Sequence, residues 1–251
     1  MVVTSVLPQA YFVERLGGGL VDVEVMIPPG ASPLTYEPSI SQMRAMSRAA
    51  VYVKVGHPSF PFEAAWLDRL LAENRSARVV DSSSGCAVGP GDPHVWLAPG
   101  CARIMARHIA DALSAVRADH AAEVRSNLQA VLEEIDALDA EIRASLAGYP
   151  GRRFFVFHPA WGYFAAEYGL EQVAIEQGAK EPSPDQLMRL IQRARADGVG
   201  VVFAQPQFDD RSARLVAQEI GGSVAVVDPL AKDWPGSLRA AARAFAEAVA
   251  P

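Results

Sequence analysis

Cysteine is scarce in this chain: Cys86 and Cys101 are the only two in 251 residues. Their spacing excludes a CxxC redox motif or a thiolate metal knuckle, and so few exclude a disulfide-built scaffold. They flank the segment that leads to His94, and two readings stay open: a disulfide in an oxidising compartment, or two structural thiols. No apolar run reaches the ~18 residues that a bilayer-crossing helix needs. Positive charge is in deficit, with 23 Lys and Arg against 29 Asp and Glu and a net charge of -6. With no basic cluster either, nucleic acid and anionic membrane are excluded as expected partners. HExxH, GxxxxGK and a GxGxxG after a strand are all missing, which removes the usual metalloprotease and nucleotide-binding signatures. Met1 leads straight into strand-like residues, without a basic n-region or a cleavage site, so a signal peptide is either absent or already removed.

What is present is globular. Half the residues are hydrophobic and 21% are charged, and a chain of this length can bury one large core or two smaller ones. Residues 2–7 read as a strand, and 9–16 as a helix stopped by Gly17-Gly18-Gly19. Residues 21–27 alternate as a second strand, followed by a rigid loop through Pro28-Pro29-Gly30 and Ser32-Pro33. Ser39 caps a helix to about Arg48, and 50–55, 62–73 and 77–81 read as strand, helix and strand. This βαβαβ order implies a parallel sheet with helices packed on it. Residues 82–93 are too rich in glycine, proline and serine to form an element.

Residues 99–116 are helical. From 119 to 146 no breaker occurs, and Val124, Leu128, Val131, Leu132, Ile135, Leu138 and Ile142 recur at helical spacing. Such a segment, ~40 Å long, far exceeds the mean globular helix of about 11–12 residues and is expected as a strut between lobes. The second half repeats the earlier logic, with strands at 153–157, 172–175, 199–204 and 224–227 and helices at 160–168, 183–197, 210–220 and 237–249. Residues 11–17 and 163–169 match in aromatic and glycine placement, a weak internal repeat. The expected class is α/β: two similar lobes, each a parallel-type sheet with flanking helices, joined by one long backbone helix. The boundaries are 1–117, 118–149 and 150–251.

Ligands of open α/β sheets bind beyond the carboxyl ends of the strands. His57, His158 and Asp228 follow strands there, and His94 lies in the loop before a helix. Each alone has a plain structural reading: a core or capping histidine, or an aspartate that caps a turn before Pro229. Together, three imidazoles and one carboxylate make a four-coordinate Zn²⁺ set, and Mn²⁺ is possible with another geometry. His108 and His120 read as solvent residues on polar helical faces. Trp66, Trp96, Trp161 and Trp234 read as core or inter-lobe packing.

Five motifs occur in order: residues 28–38 (PPGASPLTYEP), 92–97 (DPHVWL), 157–164 (FHPAWGYF), 181–184 (EPSP) and 227–230 (VDPL). Together they resemble the zinc/manganese solute-binding proteins of bacterial ABC importers over nearly the whole chain. That resemblance implies two α/β lobes joined by a long helix with a divalent transition metal between them. It also implies a periplasmic, monomeric protein that is not an enzyme and delivers its ion to a membrane permease. No lipid-bearing cysteine stands near Met1, which favours a soluble form. By motif, His94, His158 and Asp228 match the family's ligand positions. Where the family has its first-ligand histidine, just before Thr-Tyr-Glu-Pro, this chain has Leu34, which cannot bind zinc. His57 is expected to substitute, the alternatives being a three-ligand site completed by water or by Glu63. The histidine-rich stretch that many zinc importers carry before the second ligand is missing. Zinc is expected over manganese, since nitrogen-rich donors suit it better. Affinity is expected to fall as pH drops through the imidazole range, near ~6.5 when unperturbed. A second reading is a zinc-dependent hydrolase with a three-ligand open site.

Overall fold

Short runs of valine and aromatic residues build two four-stranded, all-parallel sheets, the α/β class that the alternation of elements predicts. The computed structural model describes all residues except Val88, Pro90, Gln177, Ala179, Ala250 and Pro251. The chain divides into two compact units, Met1–Asp139 with Leu230–Trp234, and Ala140–Pro229 with Pro235–Pro251.

In the first unit, β1 (Val2–Thr4), β2 (Val23–Val25), β3 (Val51–Lys54) and β4 (Arg78–Asp81) lie in the order β2-β1-β3-β4. Val2 pairs with Val23 on one side and Val51 on the other, so β1 is interior. Val2, Val3, Val51, Tyr52 and Val53 are at most 1% exposed, as a parallel sheet covered on both faces requires. The covering helices are α1 (Leu7–Gly17), α2 (Ile40–Met46), α3 (Pro61–Glu73) and α4 (Pro99–Val116). α2 begins at Ser39, whose hydroxyl accepts from the Gln42 amide at 3.3 Å while the Gln42 side chain accepts from the Ser39 amide at 2.9 Å. That reciprocal pair satisfies two donors at the helix start. Of residues 82–93, expected to form no element, Val88 and Pro90 lie outside the described residues, and the rest form turns and loop.

In the second unit, β5 (Arg153–Val156), β6 (Glu171–Ala174), β7 (Val201–Ala204) and β8 (Ser223–Val226) lie in the order β6-β5-β7-β8. The order matches that of the first sheet, strand for strand. Side chains alternate across this sheet. Phe155, Val202 and Ala204 pack with Leu190, Ala194 and Val216 of α7 (Pro184–Ala196) and α8 (Arg211–Ile220). Phe154 and Phe203 point the other way, with ring centroids 4.1 and 4.8 Å from Phe245 of α9 (Trp234–Val249). On that face α6 (Gly162–Tyr168) adds Phe164, 5.6 Å from Phe245. Ser183 caps α7 by accepting from the Gln186 amide at 3.4 Å, at the start of the helix expected over 183–197.

The long breaker-free segment forms α5 (Ala121–Leu146), preceded by a 3₁₀ turn at Ala118–His120. Residues 118–149 are divided between the two units rather than forming a third segment. α5 belongs to the first unit as far as Asp139 and to the second from Ala140. The reason is its apolar stripe: Val124, Val131, Ile135 and Leu138 are at most 1% exposed. Asn127 also donates to the Leu16 carbonyl at the end of α1, at 3.0 Å, and Glu134 meets Arg15 at 3.0 Å. Residues 150–251 are not one segment either. Leu230–Trp234 returns to the first unit, where Trp234 Nε1 donates to the Trp96 carbonyl at 2.7 Å and packs 4.9 Å from Phe12. Among the described residues, no helix is long and apolar enough to cross a membrane.

Candidate metal centre

In the second unit the carboxyl edge of the sheet collects polar side chains from all four strands. The ladder runs two residues past β6, where the Glu176 amide donates to the Phe157 carbonyl at 2.9 Å. It likewise runs past β8, where the Val227 amide donates to Ala204 at 3.0 Å. This carries His158, Glu176, Gln205 and Asp228 to one edge, around the β5/β7 boundary where the strand order reverses. Gln205 fixes His158 twice: its Oε1 accepts from the His158 amide at 3.1 Å and its Nε2 donates to the His158 carbonyl at 2.9 Å. The imidazole stacks on Phe208 at 4.3 Å, and its Nδ1–H donates to Glu176 Oε2 at 3.0 Å. Asp228 accepts from Gln207 Nε2 at 2.7 Å, and its carbonyl accepts from Ser237 Oγ at 2.7 Å. Gln207 Oε1 is buried without a partner among the described residues.

In the first unit, His94 follows the turn-rich segment at the start of a 3₁₀ turn, Val95–Leu97, and is 7% exposed. Asp92 Oδ1 accepts from both the His94 amide, at 3.0 Å, and its Nδ1–H, at 2.7 Å. The ring meets Trp96 edge-on at 5.2 Å. His94 and His158 are therefore presented alike: a carboxylate takes Nδ1–H, which fixes the tautomer whose lone pair is on Nε2. Metal-ligating histidines are held in this way. Among the described residues, no three or more His, Cys, Asp or Glu side chains gather into a metal-holding group.

Comparison with known proteins identifies the family. The profile of the ZnuA family, zinc-uptake complex component A, periplasmic, matches residues 2–248. The chain belongs to this family. A crystal structure of ZnuA superposes with a TM-score of 0.95 at 38% identity, covering 99% of this chain and 98% of that one. A zinc-bound ZnuA deletion mutant superposes at 0.93 with 39% identity, covering 100% and 98%. The zinc-binding lipoprotein AdcA of Streptococcus pneumoniae is 26% identical over 250 residues, 91% of this chain and 50% of its own length. The chain thus spans about half the length of the first curated relatives it matches.

In this ZnuA-family chain, His57 is held by two backbone contacts. Its Nδ1 accepts from the Ser59 amide at 3.0 Å, so the ring hydrogen is on Nε2, 3.1 Å from the Gly89 carbonyl. Both nitrogens are spent on the backbone of the first unit, and binding a metal would break one bond or both. Gly56 sets the position. It has φ +84°, and a Cβ there would collide with the Asp81 carboxylate. Glu63 is equally committed, accepting from Ser5 Oγ at 2.5 Å and from the Val55 and Gly56 amides at 2.6 and 2.9 Å. Leu34, at the position without a histidine, is 38% exposed. His108 is not the solvent residue expected: its Nδ1 lies 3.4 Å from the Asp81 carbonyl.

His57→Ala is expected to leave zinc affinity within about threefold of the parent, whereas loss of a true ligand would cost ~10²-fold. Competition titration against a chromophoric chelator separates the two. A hundredfold loss would restore His57 to the ligand set.

Proposed function

We propose that this chain is the extracytoplasmic zinc-capturing component of an ABC importer and passes its ion to a membrane permease. His94 Nε2, His158 Nε2 and the Asp228 carboxylate are the proposed protein ligands, and a water completes a four-coordinate shell. The observation that carries this reading is the carboxylate on Nδ1 of each histidine, Asp92 at 2.7 Å and Glu176 at 3.0 Å. In a family of zinc-uptake components, a carboxylate on Nδ1 orients the ring and fixes its tautomer, as the outer partners of metal-ligating histidines do. The buried Gln207 Oε1 supports a bound water, which could donate a hydrogen to it. Nitrogen donors with a single carboxylate favour zinc over manganese. Action as a monomer and delivery to a permease belong to the same proposal.

The family is one of transport components, and the chain is proposed to carry no catalytic activity. Glu63, the alternative residue for completing the site, is occupied by Ser5, Val55 and Gly56. Titration of metal-free protein with zinc is expected to saturate at one ion per chain, with manganese competing poorly. Diffraction from zinc-loaded crystals, on either side of the zinc edge, should place one anomalous peak beside residues 94, 158 and 228. A peak elsewhere, or no saturable binding, would overturn the assignment.

A further inference from the structure

The loop that leads to His94 runs along one face of α4. The Asp81 carbonyl lies 3.4 Å from His108 Nδ1. Four residues on, Gly85 turns with φ +84°, and a Cβ there would meet Ile104 Cγ2 at 3.4 Å. Cys86 comes next, its amide donating to the Ser83 carbonyl at 3.0 Å, and its thiol hydrogen-bonds with that of Cys101. Positions 101, 104 and 108 form one stripe of the helix, so the thiol contact is the third rung of a packed interface rather than a chance approach. Both cysteines are half-buried, and Ser84, Gly85 and Ala87 around Cys86 are exposed.

We infer that Cys86 and Cys101 form a disulfide that pins the loop carrying Gly89, Asp92 and His94 to the first turn of α4. The thiol contact holds the Cys86 thiol below its ordinary pKa, against burial and the nearby Asp81 charge, and the exposed residues Ser84, Gly85 and Ala87 leave it open to an oxidant, so Cys86 is the thiol that attacks. The oxidant is a reactive disulfide, either that of a dithiol oxidase or oxidised glutathione. Cys86 thiolate attacks one of its sulfurs and expels the other as a thiolate. Cys101 then attacks Cys86 Sγ in the mixed disulfide and expels the second thiol. The chain loses two thiol hydrogens and two electrons, and the oxidant's disulfide is reduced to two thiols. The closed loop holds the carbonyl that His57 grips and the Asp92–His94 pair. Only this consequence for metal binding, and the oxidising compartment that maintains the bond in the cell, rest on the proposed function.

Full-length metal-free protein, reduced and then exchanged into a chelator-containing buffer with oxidised glutathione, tests the bond without zinc. The expected product is monomeric, has no titratable thiol and carries no glutathione. Its digest contains one peptide pair linked through Cys86 and Cys101. Its first unit melts on the order of 5–10 °C higher than in the reduced protein, as closure of a loop of about fifteen residues implies. Dithiothreitol reverses both changes, and Cys86→Ser or Cys101→Ser yields only the single glutathione adduct. Glutathione on both cysteines, intermolecular dimers, or two persistent thiols would overturn the inference while leaving zinc binding untouched. Conversely, a chain that forms the bond but fails to bind zinc would refute the transport reading alone.

Discussion

Replacing His94 and His158 together with alanine is expected to weaken zinc binding by roughly 10³–10⁴-fold, with little change in folding. Structural zinc sites bind with about 10–16 kcal/mol, and four donors share it at ~3 kcal/mol each. Each lost donor therefore costs ~10²-fold, less what water recovers in its place. His158 sits on Phe208 and His94 beside Trp96, so some packing is lost, but neither ring is a centre of a core. Asp92→Asn and Glu176→Gln offer a milder version, each expected to lose about 10–100-fold by releasing the tautomer and the ring orientation. Isothermal titration or chelator competition reads all four proteins on one scale. Undiminished binding in the double variant would remove both histidines from the site.

The fold was largely legible because hydrophobic period and turn chemistry agree along the chain. Ser39 and Ser183 start helices where Ser-x-x-Gln predicts a reciprocal cap, and Gly169 and Gly221 end helices in the left-handed conformation. Strands between such signals could only be parallel, and both sheets are. What the sequence hid was the allegiance of α5. Its stripe of valine, leucine and isoleucine says that the helix is buried on one side but not against what, and residues 121–139 belong to the first unit. The return of Leu230–Trp234 was hidden for the same reason. Trp234 finds its partners, Phe12 and the Trp96 carbonyl, more than a hundred residues away.

The site was legible in part. His94 and Asp92 are two residues apart, and an aspartate before proline and histidine reads locally as a side chain able to reach back to its own backbone. Glu176 carries no such signal. Its pairing with His158 exists only because β6 lies beside β5, and Gln205 and Gln207 reach the same edge only through β7. Strand adjacency, which residue types do not announce, makes these neighbours. His57 shows the converse. Its place after a strand suited a ligand, yet Ser59 and Gly89 occupy both nitrogens, and no periodicity reveals where a loop amide points.

Glu63→Ala is expected to destabilise the first unit by about 3–5 kcal/mol, against a total of about 5–15 kcal/mol for a typical domain. The carboxylate is 5% exposed and accepts from Ser5 Oγ and from the Val55 and Gly56 amides. Ser5 in turn meets the Tyr52 hydroxyl at 2.8 Å, so one side chain joins the ends of β1 and β3 at the strand-order reversal. Alanine would strand three buried donors, each costing about 1–3 kcal/mol, partly relieved by entering water. Burial first of all raises the Glu63 pKa, and the three hydrogen bonds and the Lys54 charge only partly oppose it. The folded chain therefore holds this proton more tightly than the unfolded chain, whose glutamates titrate near ~4.3. The resulting stabilisation is complete below that range and is lost as pH rises through the folded value. Glu63→Gln, which cannot titrate, should flatten that slope while retaining more stability than alanine, because its carbonyl still accepts. Denaturant unfolding of the parent and both variants, from acid to neutral pH, measures these effects. A loss under ~1 kcal/mol in the alanine variant, or an unchanged slope in the glutamine variant, would show that Glu63 does not hold the two strand ends together.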